Sequence, residues 1–463
     1  MSAISLALRV DPAHAGRLER ALRGHPAFQE RRRPVAFSES WCDTPNFDLA
    51  EKGRYHRGAP EGLTDHDRRR LGKSAKKVAE QIVFRGRRTV YLLGGRHWTA
   101  EVSLDQGVAQ MGRRQRDRAR ATIRMTKGRW SAGGRLIQNL LEAVPARFEF
   151  QEGAHLTDWA RGRPAGARKA SAIALKEGAT LGQAFQSILA SILDHLAVNA
   201  EGLKGRDTLE PIHQVRVALR RLRSALALFA PLFAEPLRQT LSERAKALAS
   251  ALGPVRDHDV FAADILGPVR QAFTAESTLD LLAAHLKRQR QTALTTARAA
   301  IAAPAFNALL IDLFVEAADL ADHPPAGAPT LADFARQRLE TRWRKLIKER
   351  RPLSALSGAA RHRQRIRAKK LRYAMEFLID LYPGKRARKT RARLEALLDA
   401  LGQLNDIEAA RARLAEVDEA KVPAAHRHAI GLIAGWHAAR ERRLLEQAEG
   451  PWRAFRHAKK FWL

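Results

Sequence analysis

A single cysteine, Cys42, stands in 463 residues, so no intrachain disulfide can form and no cysteine cluster can hold zinc. Aromatic residues make up only 6% of the chain, which leaves little material for the stacking platforms that bind single-stranded nucleic acids. No apolar run approaches the roughly 18 residues of a membrane-spanning helix. The opening MSAISLALRVDP has no basic segment ahead of its apolar stretch, and Arg9 and Asp11 break that stretch, so no secretory signal is read there. These absences together predict a cytoplasmic protein without a membrane partner.

Acidic residues are also in short supply. There are 49 Asp and Glu against 82 Lys and Arg, a net charge of +33. A field of that sign concentrates anions near the surface and says nothing about the fold. The excess is spread along the chain: residues 1–170 hold 34 basic and 18 acidic side chains, and the remainder holds 48 and 31. It is therefore not a basic tail. Hydrophobic residues reach 45%, ample for a packed core, and the length predicts two or three domains.

What is present in excess is organised. IHQVRVALRRLR (212–223) is matched by RHRQRIRAKKLR (361–372), pairing His213 with His362, Arg216 with Arg365, Arg220 with Lys369, Arg221 with Lys370 and Arg223 with Arg372 at one offset of 149 residues. LGPVRDHD (252–259) is matched by LGQLNDIE (401–408) at the same offset, pairing Asp257 with Asp406. Two motifs sharing one offset predict an internal duplication. On a helix, His213, Arg216, Arg220 and Arg223 fall at i, i+3, i+7 and i+10 and share a stripe, as do His362, Arg365, Lys369 and Arg372. Like charges so close repel unless an anion neutralises them, and guanidinium forks suit phosphate oxygens. The bland alternative is a solvated basic face, which one copy alone could not exclude. The histidines read as neutral donors to phosphate, because neighbouring positive charge disfavours their protonation. A metal role is disfavoured, since neither carries a carboxylate or second histidine at i+3 or i+4. Asp257 and Asp406 read either as groups orienting the stripe or as simple helix caps.

Local patterns divide the chain. ISLALRV (4–10), TVYLL (89–93), WTAEVSL (98–104) and ATIRMT (121–126) alternate as strands, and helices are predicted over about 12–22, with Asp11 as N-cap and Pro12 at N1, and over about 134–143. RGRPAGARKA (161–170) reads as a linker. From about Thr180 apolar residues recur every three or four positions, punctuated by Pro231, Pro236, Gly253, Gly267 and Pro304, with HPPAGAP (323–329) between the two copies and a break near Pro383–Gly384. RRQRDRAR (113–120) reads as added positive charge or a solvated loop. Arg68, Arg69, Arg70, Lys73, Lys76 and Lys77 form another basic cluster, expected to be exposed.

The His-x-x-Arg-x-x-x-basic-basic-Leu-Arg motif, its second copy and the LG-x-x-x-D segments resemble the CHAD family over about residues 178–463. The resemblance implies two helical bundles related by a pseudo-twofold axis, repeat one over about 178–322 and repeat two over about 330–463. It also implies that inorganic polyphosphate is the partner and that the protein sits at polyphosphate granules. Carried over residue by residue, the polyphosphate ligands are His213, Arg216, Arg220, Arg221 and Arg223, with His362, Arg365, Lys369, Lys370 and Arg372. The second copy departs at Asn405, which stands where the first has Arg256.

Residues 1–160 are similar to a CYTH, or triphosphate tunnel, domain at WCDTPNFDLAEKG (41–53) and AEVSLDQGVAQMG (100–112), with 161–177 as linker. The fold expectation is thus α+β overall: a small β-rich tunnel-like domain before duplicated all-α bundles. The family's first-strand Glu-x-Glu-x-Lys aligns here with Ala3, Ser5 and Ala7, and a later acidic strand with Thr122, Arg124 and Thr126. Without those carboxylates no divalent metal should be held and no hydrolysis performed. The expectation is a non-enzyme without cofactor, with Arg120 and Arg124 as candidate anion ligands in a degenerate tunnel. The rival readings are a non-specific nucleic-acid-binding protein, which the charge favours equally, and a residual metal-dependent triphosphatase.

Overall fold

The computed structural model describes residues 4–51, 55–64, 67–68, 71–150, 154–162, 167–176, 178–415 and 424–463. Ala3, Arg69 and Arg70 lie outside the described residues, as do 163–166 and 177 of the expected linker and 416–423 of the second bundle. The chain divides into two compact units. One comprises residues 1–174, 180–219 and 303–326; the other comprises 175–179, 220–302 and 327–463.

The first unit is built on an antiparallel sheet of β1 (Ser5–Val10), β2 (Phe28–Arg31), β3 (Val35–Asp43), β4 (His56–Arg57), β5 (Ala79–Gly95), β6 (Trp98–Met111), β7 (Arg114–Lys127) and β8 (Ala146–Glu149). The strand order is β4-β3-β5-β6-β7-β1-β8, with β2 also on β5. Strict alternation sorts the two faces. Ala100, Val102 and Leu104 of β6 and Ala119, Ala121 and Ile123 of β7 form one buried face, while Glu101, Ser103 and Asp105 and then Arg118, Arg120 and Thr122 occupy the other. β3 and β7 are three ladder steps apart, roughly 14 Å in a flat sheet. Arg118 Nη1 nevertheless lies 3.0 Å from Glu39 Oε1, so the sheet curls. At the register pair Gly86–Gly107 a Cβ would fall 2.1 Å from the Gln106 oxygen or 2.2 Å from the Arg85 oxygen, so only glycine permits that approach.

The four strands expected from sequence lie within β1, β5, β6 and β7. RRQRDRAR proves to be the first half of β7 rather than a loop. Its Arg-x-Arg-x-Arg alternation is strand periodicity without apolar residues to announce it. Asp11 caps the expected first helix, accepting from the Ala13 amide at 3.0 Å ahead of α1 (Ala15–Arg23). The short helices α2 (Asp48–Glu51) and α4 (Ala154–Ala160) flank α3 (Trp130–Ala143), which packs on α1 and β6.

Two further helices belong to this unit. α5 (Leu181–Gly202) opens with a capping box, Thr180 Oγ1 accepting from the Gln183 amide while Gln183 Oε1 accepts from the Thr180 amide. α11 (Pro304–Asp322) packs along α5 and α3, and its Asp319 carboxylate accepts from the Trp130 and Ser131 amides at 2.6 and 3.0 Å, capping α3. Of the motif helix α6 (Leu209–Leu228), residues up to Leu219 are assigned to the first unit and those from Arg220 to the second.

The second unit holds α7 (Glu235–Ala251), α8 (Gly253–Val260), α9 (Gly267–Ala272), α10 (Ser277–Ala302), α12 (Leu331–Ile347), α13 (Gly358–Leu378), α14 (Lys385–Ala415) and α15 (Ala424–Arg456). A π-helical turn, Phe261–Leu266, joins α8 to α9, and Phe261, Ile265 and Leu266 pack there with Leu279 and Leu282 of α10 and Ala429 and Ile433 of α15. The breaks read at Pro304, HPPAGAP and Pro383–Gly384 fall between helices. The basic aromatic C-terminus is docked: Trp462 is buried edge-on to Trp343, and its Nε1 donates to Glu340.

Candidate functional site

The second copy of the motif lies on α13. Ser357 caps it, accepting from the Ala360 amide at 3.3 Å. Ala368, Leu371, Ala374, Met375 and Leu378 bury one face, which turns His362, Arg365, Lys369 and Arg372 toward the other. His362 and Lys370 are exposed, while Arg365, Lys369 and Arg372 are half-buried. Arg220 of α6 joins this group: its Nε donates to the Tyr373 hydroxyl at 3.4 Å, and its charge acts on Arg365 and Lys369. Arg372 lies over the Tyr373 ring, 4.5 Å from the centroid.

Four cations thus share one patch with the half-buried carboxylate of Asp406 on α14, on which the exposed Asp264 also acts. The electrostatics register the crowding. Burial, with Arg365 and Arg220 adding to it and Asp406 opposing, brings the Lys369 ammonium down to about 8. Burial also lowers Arg365, whose Nε has no hydrogen-bond partner. Asp406 is pushed up by burial despite the nearby cations. Asp406 therefore does face the stripe, as one of its two sequence readings had it. Asp257 is exposed on α8.

His362 Nδ1 lies 2.8 Å from Asn405 Oδ1. An amide oxygen can only accept, so in this contact the ring nitrogen donates. With Nδ1 engaged by Asn405, Nε2 is the ring nitrogen left to meet a ligand. Asn405, read from sequence merely as a departure from Arg256, is the residue that orients the histidine, and Tyr373 was not singled out at all. Its adjacency to Arg372 was the available signal.

The first copy is arranged differently. His213 and Arg216 are half-buried on the part of α6 within the first unit, and Arg223 is exposed. Arg221 is 1% exposed, its Nε donating to Glu376 at 2.6 Å and its guanidinium 5.9 Å from the Phe377 centroid. Grouped with the phosphate ligands on sequence, it is instead committed to an internal ion pair. Its counterpart Lys370 is exposed.

In the sheet, Arg120 is likewise not presented to a ligand: it is 1% exposed and reaches Glu39 and Asp105 at 3.2 Å. Arg118 bonds Glu39 and Glu149, and Arg88 bonds Asp105. Arg124 is exposed and paired with Glu101 at 3.0 Å. Glu39 and Glu149 were not counted from sequence because their strands are distant in the chain. Glu39, Asp105 and Glu149 are thus each paired with at least one arginine. A cleft of about 220 Å³ beside Gly107, Asp117 and Arg118 lies at this sheet rather than at the α13 patch. Burial and then Arg9, Arg116, Arg118 and Arg168 bring His155 down to about 2, so it is neutral there. Among the described residues no group of three or more His, Cys, Asp or Glu side chains could hold a metal ion, and no single helix is long and apolar enough to cross a membrane.

Comparison with known proteins gives one family. The CHAD domain model matches residues 187–415. The crystal structure of the CHAD domain from the plant Ricinus communis is similar at 30% sequence identity and a TM-score of 0.56, covering 64% of this chain and 98% of that one. PptA from Streptomyces chartreusis is similar at 20% identity and a TM-score of 0.43, covering 60% and 98%. No curated protein matches.

Proposed function

The chain belongs to the CHAD family, and from that premise we propose that it binds inorganic polyphosphate through its basic helix faces and does not hydrolyse it. The observation that carries this reading is the patch of Arg220, Arg365, Lys369 and Arg372, in which cations outnumber the carboxylates of Asp406 and Asp264. A linear phosphate polymer supplies the missing negative charge at a spacing that successive helix turns can follow, and each guanidinium can take two oxygens.

The proposal includes the internal duplication. Leu209 of α6 and Gly358 of α13 open their helices 149 residues apart; Leu181 of α5 and Leu331 of α12 do so 150 apart, as do Glu235 of α7 and Lys385 of α14. That agreement supports two copies of one helical unit. We also take the N-terminal sheet as a degenerate triphosphate tunnel, a reading supported by its curl and by the Asp43–Thr44–Pro45 segment at the end of β3. Its arginine–carboxylate pairs support binding without metal and without catalysis. Association with polyphosphate granules in the cytoplasm follows if the polymer is the ligand.

The test is a competition. Labelled long-chain polyphosphate is titrated with the full chain at low and near-physiological salt, then challenged with RNA and duplex DNA. Displacement by polyphosphate alone, with binding surviving the higher salt, is the expected result. Equal displacement by nucleic acid, with binding collapsing as salt rises, would overturn it in favour of generic phosphate binding.

A further inference from the structure

The buried face of α12 carries two residues that its pattern does not call for. Leu331, Phe334, Ala335, Leu339, Trp343 and Leu346 are all buried. On a helical wheel Arg338 and Arg342 fall inside that arc, continuing the line of Leu331 and Ala335 at i+7 and i+11. At the 150-residue offset of α5 and α12 they stand where α5 has Ile188 and Ile192, each 0% exposed. Two arginines thus replace two core isoleucines.

Neither arginine is compensated. Both are half-buried. The Arg338 guanidinium lies 5.1 Å from the centroid of its own-turn neighbour Phe334, and its Nε is buried without a hydrogen-bond partner. Arg342 Nη1 donates to the Arg338 carbonyl oxygen at 3.3 Å. Among the described residues no carboxylate pairs with either. The acids of the same helix are engaged elsewhere: Asp333 with Arg336, and Glu340 with Arg344 and Lys460. Just beyond it, Glu349 pairs with Arg351. Burial lowers both guanidinium groups, and Arg338 lowers its neighbour further, bringing Arg342 to about 10. Two desolvated cations one turn apart, without a counter-charge, oppose folding.

We propose that Arg338 and Arg342 form a second anion-binding element of this unit, a guanidinium pair on α12 that takes phosphate groups of the same polyanion bound by the α13 patch. The inference rests on the polyphosphate reading and extends it to residues outside the repeated motif. The repeat itself explains why no motif announces them: their positions belong to the apolar register of the helix.

The experiment uses the full chain with long-chain sodium polyphosphate as probe. It compares wild type, Arg338→Gln, Arg342→Gln, the double variant, and Lys369→Gln as a probe of the motif patch. The double variant should bind about tenfold more weakly at low salt, and the slope of log affinity against log salt should fall by about 1.4 for two lost phosphate contacts on a single-stranded polyanion. Without polyphosphate the same variant should melt at a higher temperature than wild type, because an uncompensated pair has been removed. Arginines that serve only packing would give the opposite: a lower melting temperature and unchanged affinity. Wild-type affinity and salt slope in the double variant, with Lys369→Gln impaired, would overturn this inference alone. Absence of binding by wild type would overturn the polyphosphate reading with it.

Discussion

If the α13 patch binds polyphosphate as proposed, Lys369 makes that binding sensitive to pH in a window where few other groups titrate. Its ammonium is brought from 10.5 to about 8 by burial and by Arg365, Arg220 and Arg372. Phosphate oxygens beside it would restore the ordinary value, so binding above pH 8 must take up a proton. If the bound form returns fully to 10.5, affinity falls about tenfold between pH 7 and pH 9, ~1.4 kcal/mol from one lysine. Stability moves the other way. The folded-state value lies below the unfolded one, so the charge opposes folding below about pH 8, and that penalty is relieved as pH climbs toward 10.5. The free protein should therefore become more stable over the window in which it binds more weakly. Titration calorimetry at pH 8.5 in two buffers of different ionisation enthalpy counts the protons directly. Lys369→Arg should abolish both the proton uptake and the decline in affinity. If that variant declines as steeply as wild type, the assignment of the effect to Lys369 is wrong.

Other consequences are mechanical. Arg221→Ala leaves Glu376 facing an apolar pocket beside Phe377. It should cost about 2 kcal/mol, the low side for a buried pair because Glu376 keeps some solvent, and a thermal melt checks it. Gly182→Ala places a Cβ 1.9 Å from the Leu320 carbonyl oxygen where α5 and α11 approach, so the helices must separate. A lower melting temperature with intact Lys369-dependent binding is expected. Trp462→Ala empties the contact with Trp343 and should destabilise by about 3 kcal/mol. An unchanged denaturant midpoint would show that the C-terminal segment is not docked in solution.

The helices were legible because their apolar spacing repeats every three to four residues, as at Leu181, Phe185, Ile188 and Ile192, and because Pro and Gly mark the ends. The cationic face of α13 was legible because two copies kept one register. What stayed hidden depends on partners far away in the chain. Nothing near Arg221 signals Glu376, 155 residues on. The Arg118 and Arg120 pairs need β3 and β8 folded against β7. β2 and β3 lack clean alternation and the first half of β7 lacks apolar residues, so those strands did not separate from loops. Arg338 and Arg342 read as surface charge until the helix wheel set them among Leu331 and Ala335. The contact of His362 with Asn405, 43 residues on, is one that no linear motif records.

On the proposed duplication, the ion pair of Arg221 with Glu376 makes the two copies of the motif non-exchangeable. The position of Glu376 in the first copy is Ala227, and that of Arg221 in the second is the exposed Lys370. A chain rebuilt from two first copies would carry the arginine twice and its acid never; one rebuilt from two second copies would carry the acid twice with only lysine to meet it. If the two copies descend from one unit, as proposed, each has become the complement of the other and neither can stand in for its sibling.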